Sequence, residues 1–282
     1  MKILEAKDNI ALQAEKHELV RFRRFMTREE YLLYLIHKKP YEDISVLSAK
    51  KNVLDLGCND GYGTNIIGTR CNKIIGVDVS AKAINAAKRY FGKTNIEFIL
   101  IDGYSLPFSN AVFDVVTCFQ VIEHVLETNH LMKEISRVLK PGGCAVFTTP
   151  NSKIRLLEGM KPWNKLHVRE YSACEFGSLL KNHFSSVSLE GLFAQPFLDN
   201  IERSRIHRAL SAAKKSRARN QKKNILRRIM PVFIKNYLKY FRFMLKERKE
   251  IGKIIQTYSR SDLFYLTENL DDSLDLRANC IN

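Results

Sequence analysis

The sequence predicts an α/β protein built on a doubly wound, mostly parallel sheet. Three observations carry this. Short continuous apolar runs alternate with helical patterns, as strands buried on both faces between covering helices require. A turn with three glycines, GCNDGYG at 57–63, follows the first apolar run. The second run closes on an acid, Asp78. Open α/β sheets bind ligands outside the carboxyl ends of their strands, which places the glycine turn and the acid on one edge.

Residues 1–50 read as helical, with Tyr31, Leu32, Tyr34, Leu35 and Ile36 packing on the main domain. NVLDLG (52–57), KIIGVDVS (73–80), NIEFILIDG (95–103), FDVVTCFQ (113–120) and CAVFTTPN (144–151) read as strands. AKAINAAKRYF (81–91) is a helix. Another spans 126–139 and stops at Lys140-Pro141-Gly142-Gly143, a strong terminator. SACEFGSLLKNHF (172–184) is a further helix. SSVSLEGLFA (185–194) and LDLRANCI (274–281) complete a seven-stranded sheet, with a basic segment inserted between them. The expected division is an N-terminal helical segment at 1–50, a core at 51–196, a basic helical insertion at 197–262 and the final strand within 263–282.

A chain of 282 residues, 45% hydrophobic and 27% charged, has ample material for one large core. Its six cysteines are scattered without metal-type spacing, which points to reduced thiols and a cytoplasmic protein. The opening MKILEAKDNIALQAEKHE is charged too early for a secretory leader, and no run of 18 apolar residues predicts a membrane-spanning helix. The net charge of +16 is uneven: residues 201–258 hold 18 Lys or Arg against 3 Glu, which leaves the rest of the chain at +1.

Glycine permits positive φ and close approach of a ligand to the backbone, and Asn59 is the next most tolerant type. Glycines at 57, 61 and 63 do not fit the GxGxxG spacing that cradles a pyrophosphate. Asp78 follows Gly57 by 21 residues, where a carboxylate can accept both hydroxyls of a ribose. A ribose without a pyrophosphate is the ligand this pattern suits.

VLDLGCNDGYGT, IIGVDVS, FILIDGYSLPF, FDVVTCFQVIEHV and LKPGGCAVFTTPN, in that order, resemble the successive motifs of class I S-adenosylmethionine-dependent methyltransferases, from about Asn52 to Gly191. The resemblance implies their Rossmann-like sheet and S-adenosylmethionine as cofactor. Carried onto this chain, it implies that Asp55 and Gly57 hold the methionine end and that Gly61 and Gly63 shape the turn. Asp78 would take the ribose hydroxyls, Val79 would pack beside the adenine, and Asp102 with Gly103 would receive its amino group. Gln120 would stand beside the sulfonium. Asn59 departs from the family, which more often has a second glycine there.

Methyl transfer to a hydroxyl needs alignment, exclusion of water and removal of a proton. Glu123-His124, just after the fourth strand, and His167, in the loop after the fifth, are the candidate catalytic residues. Both loops leave the same sheet edge, so they can converge across 43 residues of sequence. The alternative for Glu123-His124 is a helix cap or a loop hydrogen bond. Arg169, Glu170 and Tyr171 can shape an acceptor pocket or form an ion-paired lid. The arrangement is similar to that of the small-RNA 3′-terminal methyltransferases, whose Glu…Glu-His run and later His bind a divalent metal such as Mg. Gln120 stands here in place of the first Glu, a neutral and weaker ligand that argues against the metal. RFRRFMTREEYLLYLIHKKPYEDIS, TPNS and HVREYS further resemble bacterial methyltransferases of glycan and lipopolysaccharide biosynthesis, which implies a sugar hydroxyl or lipid-linked glycan as acceptor.

In 225–253, Arg228, Lys235, Lys239, Arg242, Lys246, Lys249 and Lys253 fall on one helical stripe beside a broad apolar face, while SAAKKSRARNQKKN (211–224) reads as polar and mobile. Such a helix suits the anionic inner face of the cytoplasmic membrane. Packing on the core as a lid, or contact with nucleic-acid phosphates, are the alternatives. The expected activity is therefore O-methylation of a sugar or lipid-linked acceptor. An RNA methyltransferase, and a non-catalytic cofactor-binding partner protein, are the competing readings.

Overall fold

The helix that opens the fold is prepared by its own first turn. In the computed structural model, which describes residue 25, residues 27–220 (side chains to 214) and residues 251–282, α1 spans Arg28–Leu47. Thr27 caps it by accepting from the Glu30 N–H, and Glu29 and Glu30 face the positive end of the helix dipole. Its buried residues include Leu32, Leu35 and Ile36, as the sequence predicts.

Strand and helix then alternate: β1 (Asn52–Leu56), α2 (Tyr62–Gly68), β2 (Lys73–Asp78), α3 (Ala81–Phe91), β3 (Ile96–Leu100), β4 (Phe113–Phe119), α4 (Thr128–Val138) and β5 (Leu139–Pro150). A short helix α5 (Ser152–Arg155), α6 (Ala173–Lys181), β6 (Ser186–Ala194) and the long α7 (Pro196–Asn220) follow. After the undescribed stretch, residues 251–257 are helical, and β7 (Leu263–Leu266) and β8 (Asp275–Ile281) close the chain. The sheet order is β3-β2-β1-β4-β5-β8-β6-β7. The first five strands pair in parallel; β8 is antiparallel to both β5 and β6, and β7 to β6.

The sheet thus has eight strands where seven were expected. Leu263–Leu266 is a short edge strand on β6, and its four residues were too few to stand out beside the charged segment preceding them. A second correction concerns the stop after α4. The helix ends at Val138 as predicted, but Leu139 already pairs with Phe113, with a register shift before Val115 pairs with Cys144. Lys140–Gly143 is therefore a bulge within β5, with Gly142 at φ 72°, and not a loop before it. A third is that α7 runs through 211–220, which read as mobile. The basic stripe lies mostly within 221–250, outside the described residues.

Successive strand residues point to opposite faces, and both faces are covered. Leu54, Val116 and Ala145 join Met132 and Ile135 of α4 and Phe176 of α6 in one core layer. Val53, Val115 and Val146 join Ile67 of α2 and Ile84 of α3 in the other. A third cluster ties α1 (Leu32, Leu35) to Leu192, to Leu198 and Ile201 of α7, and to Ile254. Among the described residues no helix is long and apolar enough to cross a membrane.

Candidate functional site

The carboxyl edge of the parallel strands carries two adjoining cavities. The first is a cleft over β1, β2 and β4, lined by Gly57, Asn59, Asp78, Val79, Gln120 and His124 among others. Its floor is the turn after β1. Gly57 has φ 79°, and a Cβ there would come within 2.4 Å of the Val121 side chain. Asn59 takes φ 47°. Gly61, at φ 84°, lies beneath the cleft, where a Cβ would come within 2.7 Å of the Phe98 ring. Only residues that tolerate the left-handed region, with no bulk where the backbone is crowded, can build this turn.

Asp78 is held in one plane: Oδ2 accepts from the Asn59 N–H at 2.9 Å and Oδ1 from the Ser80 N–H at 2.9 Å. A fixed bidentate acceptor at the end of β2, beside an apolar wall of Leu56, Val77, Val79 and Leu106, fits a ribose joined to a flat apolar base. Gly103 lines the opposite wall with Tyr104, whose ring stacks on His130 at 4.1 Å. The residues present thus fit the nucleoside part of S-adenosylmethionine.

Three expected cofactor residues do not line the cleft: Gly61 lies beneath it, and Asp55 and Asp102 serve the fold around it. Asp55 is fully buried and accepts from Thr64 Oγ1 at 2.6 Å and Thr117 Oγ1 at 2.8 Å, which ties β1 to α2 and β4. Burial pushes its carboxyl up to about 6, partly offset by those hydroxyls. Asp102 is exposed, and its Oδ1 caps the turn by accepting from the Tyr104 and Ser105 N–H groups at 2.8 and 3.0 Å. Gly63 admits the Tyr41 ring of α1: a Cβ there would meet it at 2.3 Å.

The second cavity, about 320 Å³, shares Gly57, Asn59, Gln120 and His124 with the first. Its walls are strongly polar, with Glu123, Arg155, His167, Glu202, Arg205 and Asp275 among them. Here the two predicted clusters converge. The Val168 and Arg169 N–H groups donate to the Glu123 carbonyl at 2.8 and 3.2 Å, tying the loop after β5 to the short 3-10 turn Ile122–His124. The rings of His124 and His167 meet edge to face at 4.8 Å. His167 Nδ1 lies 2.7 Å from Glu170 Oε1, and His124 Nδ1 2.9 Å from the Leu166 carbonyl.

Glu123 is buried; one oxygen accepts from Thr149 Oγ1 at 3.2 Å, and Oε1 has no partner among the described residues. Burial, with the nearby Asp275 charge adding, pushes it up to about 8. Burial opposes ionisation of Glu170 as well, but the His167 hydrogen bond and the Arg155 guanidinium outweigh it and hold that carboxyl below its ordinary range. Arg155 pairs with Glu170 through two nitrogens at 3.0 and 3.3 Å, and its guanidinium and that of Arg205 both lie over the Trp163 ring. Arg169 is exposed and Tyr171 packs into the core near Phe176, so of the three expected pocket residues Glu170 alone supports the site, from beneath His167.

Asp275 was not foreseen. Because β8 runs antiparallel, its first residue lies at the carboxyl edge, opposite Pro150 at the end of β5. Gln120, at φ 56°, donates to Asp275 Oδ2 at 2.9 Å and to Thr148 Oγ1 at 3.3 Å. Burial pushes Asp275 up to about 8, the Arg155 charge pulling the other way. Arg155, Glu202 and Arg205 also escaped notice, because they sit on helices whose approach to the site depends on tertiary packing. The i,i+3 pair Glu202–Arg205 was the one local signal.

The profile of a family described as "Methyltransferase domain" matches residues 54–147. Over 168 residues the chain is 32% identical to a "Probable S-adenosylmethionine-dependent methyltransferase" of Mycobacterium tuberculosis, covering 59% of this chain and 60% of that protein's length. A "Ubiquinone biosynthesis O-methyltransferase" of Coxiella burnetii is 29% identical over 127 residues, 44% of this chain and 54% of the other. The fold is shared with the "[4+2]-Cyclase SpnF", at TM-score 0.50 and 17% identity over 86% of this chain and 80% of that one. The curated relatives thus extend well beyond what this chain matches in them. The match over residues 54–147 to a methyltransferase-domain family thus falls on the part of the chain that carries the ordered motifs, the parallel strands and the nucleoside-shaped cleft.

Proposed function

We propose that the protein transfers the methyl group of S-adenosylmethionine to a hydroxyl of a sugar or similarly polar acceptor. The observation carrying this reading is the shared wall: an apolar nucleoside-shaped cleft and a polar cavity meet at Gly57, Asn59, Gln120 and His124. Bound S-adenosylmethionine supplies a methyl activated on a sulfonium. The chain's residues do the remainder. Asp78 and the turn after β1 fix the donor, and the carboxylates and guanidiniums of the second cavity fix a polyhydroxylated acceptor by hydrogen bonds. As the C–S bond breaks and the C–O bond forms, the bond electrons pass to sulfur and the hydroxyl proton passes to the Glu123–His124–His167 group.

A flat quinone-like acceptor suits these walls less well, since it offers few hydrogen-bonding groups to the polar side chains around it. The test is incubation with methyl-labelled S-adenosylmethionine and fractionated cell extract. Label should enter glycan or glycolipid. Label confined to RNA would overturn the sugar acceptor, and cofactor binding by calorimetry with no transfer into any fraction would overturn the enzyme reading.

A further inference from the structure

The polar cavity holds more acid than guanidinium. Glu123, Glu202 and Asp275 line it and Glu170 stands beneath, against Arg155 and Arg205. Both guanidiniums are already matched. Arg155 pairs with Glu170 at 3.0 and 3.3 Å, and Arg205 pairs with Glu202 through Nε at 2.7 Å and through a second nitrogen. Arg155 also lies 3.9 Å from Glu202. Two acids are left over, Glu123 and Asp275, and among the described residues neither forms a salt bridge.

Each of the two keeps one oxygen without a partner. Glu123 Oε2 accepts from Thr149 Oγ1 and Asp275 Oδ2 from the Gln120 amide, both neutral donors. Glu123 Oε1 and Asp275 Oδ1 accept from nothing among the described residues, although Glu123 is 1% and Asp275 9% exposed. Empty, both groups retain a proton at neutral pH, because burial pushes each up to about 8. A buried carboxylate becomes stable where a cation meets it. An anionic acceptor would bring charge of the wrong sign to this wall, since no guanidinium of the cavity is unpaired.

We propose that the acceptor carries a basic amino group beside its hydroxyls, as an amino sugar does, and that Glu123 and Asp275 receive its ammonium. This rests on the methyltransferase reading above and narrows its acceptor class. The ammonium donates to the two unpartnered oxygens, and the carboxyl proton it replaces leaves to solvent. Ionised Glu123 is also the form able to take the hydroxyl proton during transfer, which the protonated acid of the empty cavity is not. A neutral sugar leaves that acid protonated and is the poorer acceptor.

The experiment offers the full chain glucosamine, galactosamine and kanosamine, each beside its N-acetyl and hydroxyl counterparts, with methyl-labelled S-adenosylmethionine. In at least one set kcat/KM should favour the free amine by about ten-fold. Calorimetry on protein saturated with S-adenosylhomocysteine, in two buffers of different ionisation enthalpy, should show that amine releasing about one proton and its neutral counterparts none. Asp275→Asn, which still accepts from Gln120, and Glu123→Gln should each bring the Kd values of amine and neutral sugar together. That ratio is read on one variant at a time, so a partly unfolded fraction cancels. No preference for the amine in any set, binding of it without proton release, or a preference that survives both substitutions overturns the proposal. Proton release on binding S-adenosylmethionine, with none added by the amine, would place the cofactor's sulfonium at these acids and overturns it too. Calorimetry with S-adenosylmethionine alone tests the methyltransferase reading separately, and cofactor binding without amine preference leaves that reading standing.

Discussion

At the scale of single residues, the three aspartates of the motifs divide their work. Asp78 is the one whose carboxylate lines the cleft, so Asp78→Ala should raise the Kd for S-adenosylmethionine at least ten-fold, about 1.4 kcal/mol, by calorimetry. Asp55 instead ties β1 to α2 and β4, and Asp55→Ala would strand the buried Thr64 hydroxyl and leave that of Thr117 with only the Leu54 carbonyl. It should cost about 2–3 kcal/mol of stability in urea unfolding, with weaker cofactor binding only as a consequence. Gly63→Ala should cost about 1–3 kcal/mol, because its methyl must displace the Tyr41 ring. Sequence motifs mark all three aspartates alike; burial and hydrogen bonding separate the one that lines the cleft from the structural tie.

At the scale of elements, β1 to β5, α3, α4 and α6 were legible because local periodicity and stop signals are sufficient for them. The turn after β1 and the convergence of His124 with His167 were legible too, since both follow from the sheet edge. What escaped was set by tertiary packing. Asp275 reaches the cavity because β8 is antiparallel, and Arg155, Glu202 and Arg205 because α5 and α7 fold back over that edge. The bulge in β5 was hidden by the same glycines that stop α4. The α1–α7 contact belongs to this category: Leu32 is completely buried in it. Leu32→Ala should lower unfolding free energy by about 2–5 kcal/mol, the usual cost of a core cavity.

At the scale of the whole molecule, buried charge couples stability to pH. Asp275 stands at about 8 in the folded protein against an ordinary 3.8, so folding retains a proton that the unfolded chain gives up. Its contribution is greatest below the unfolded value and falls as pH rises toward 8. His37 acts oppositely: loss of hydration lowers it from 6.5 to about 4, so its effect ends near pH 6.5. Glu123, also at about 8, adds a second retained proton, so between 6.5 and 8 stability should fall with pH by at most about 2.7 kcal/mol per unit for the two together. Asp275→Asn should remove about half of that slope in urea melts taken across the window. The strand that begins with Asp275 also bears on how the protein is made. β8 sits between β5 and β6, yet 125 residues separate its start from the end of β5. At ~5–20 residues per second, a ribosome needs roughly 6–25 s to span that gap. Until then β5 has a bare edge, β6 can pair only with β7, and the unpaired edges are exposed to mispairing and chaperone capture. The second cavity is complete only once residues 275–281 are in place, because Asp275 forms part of its wall.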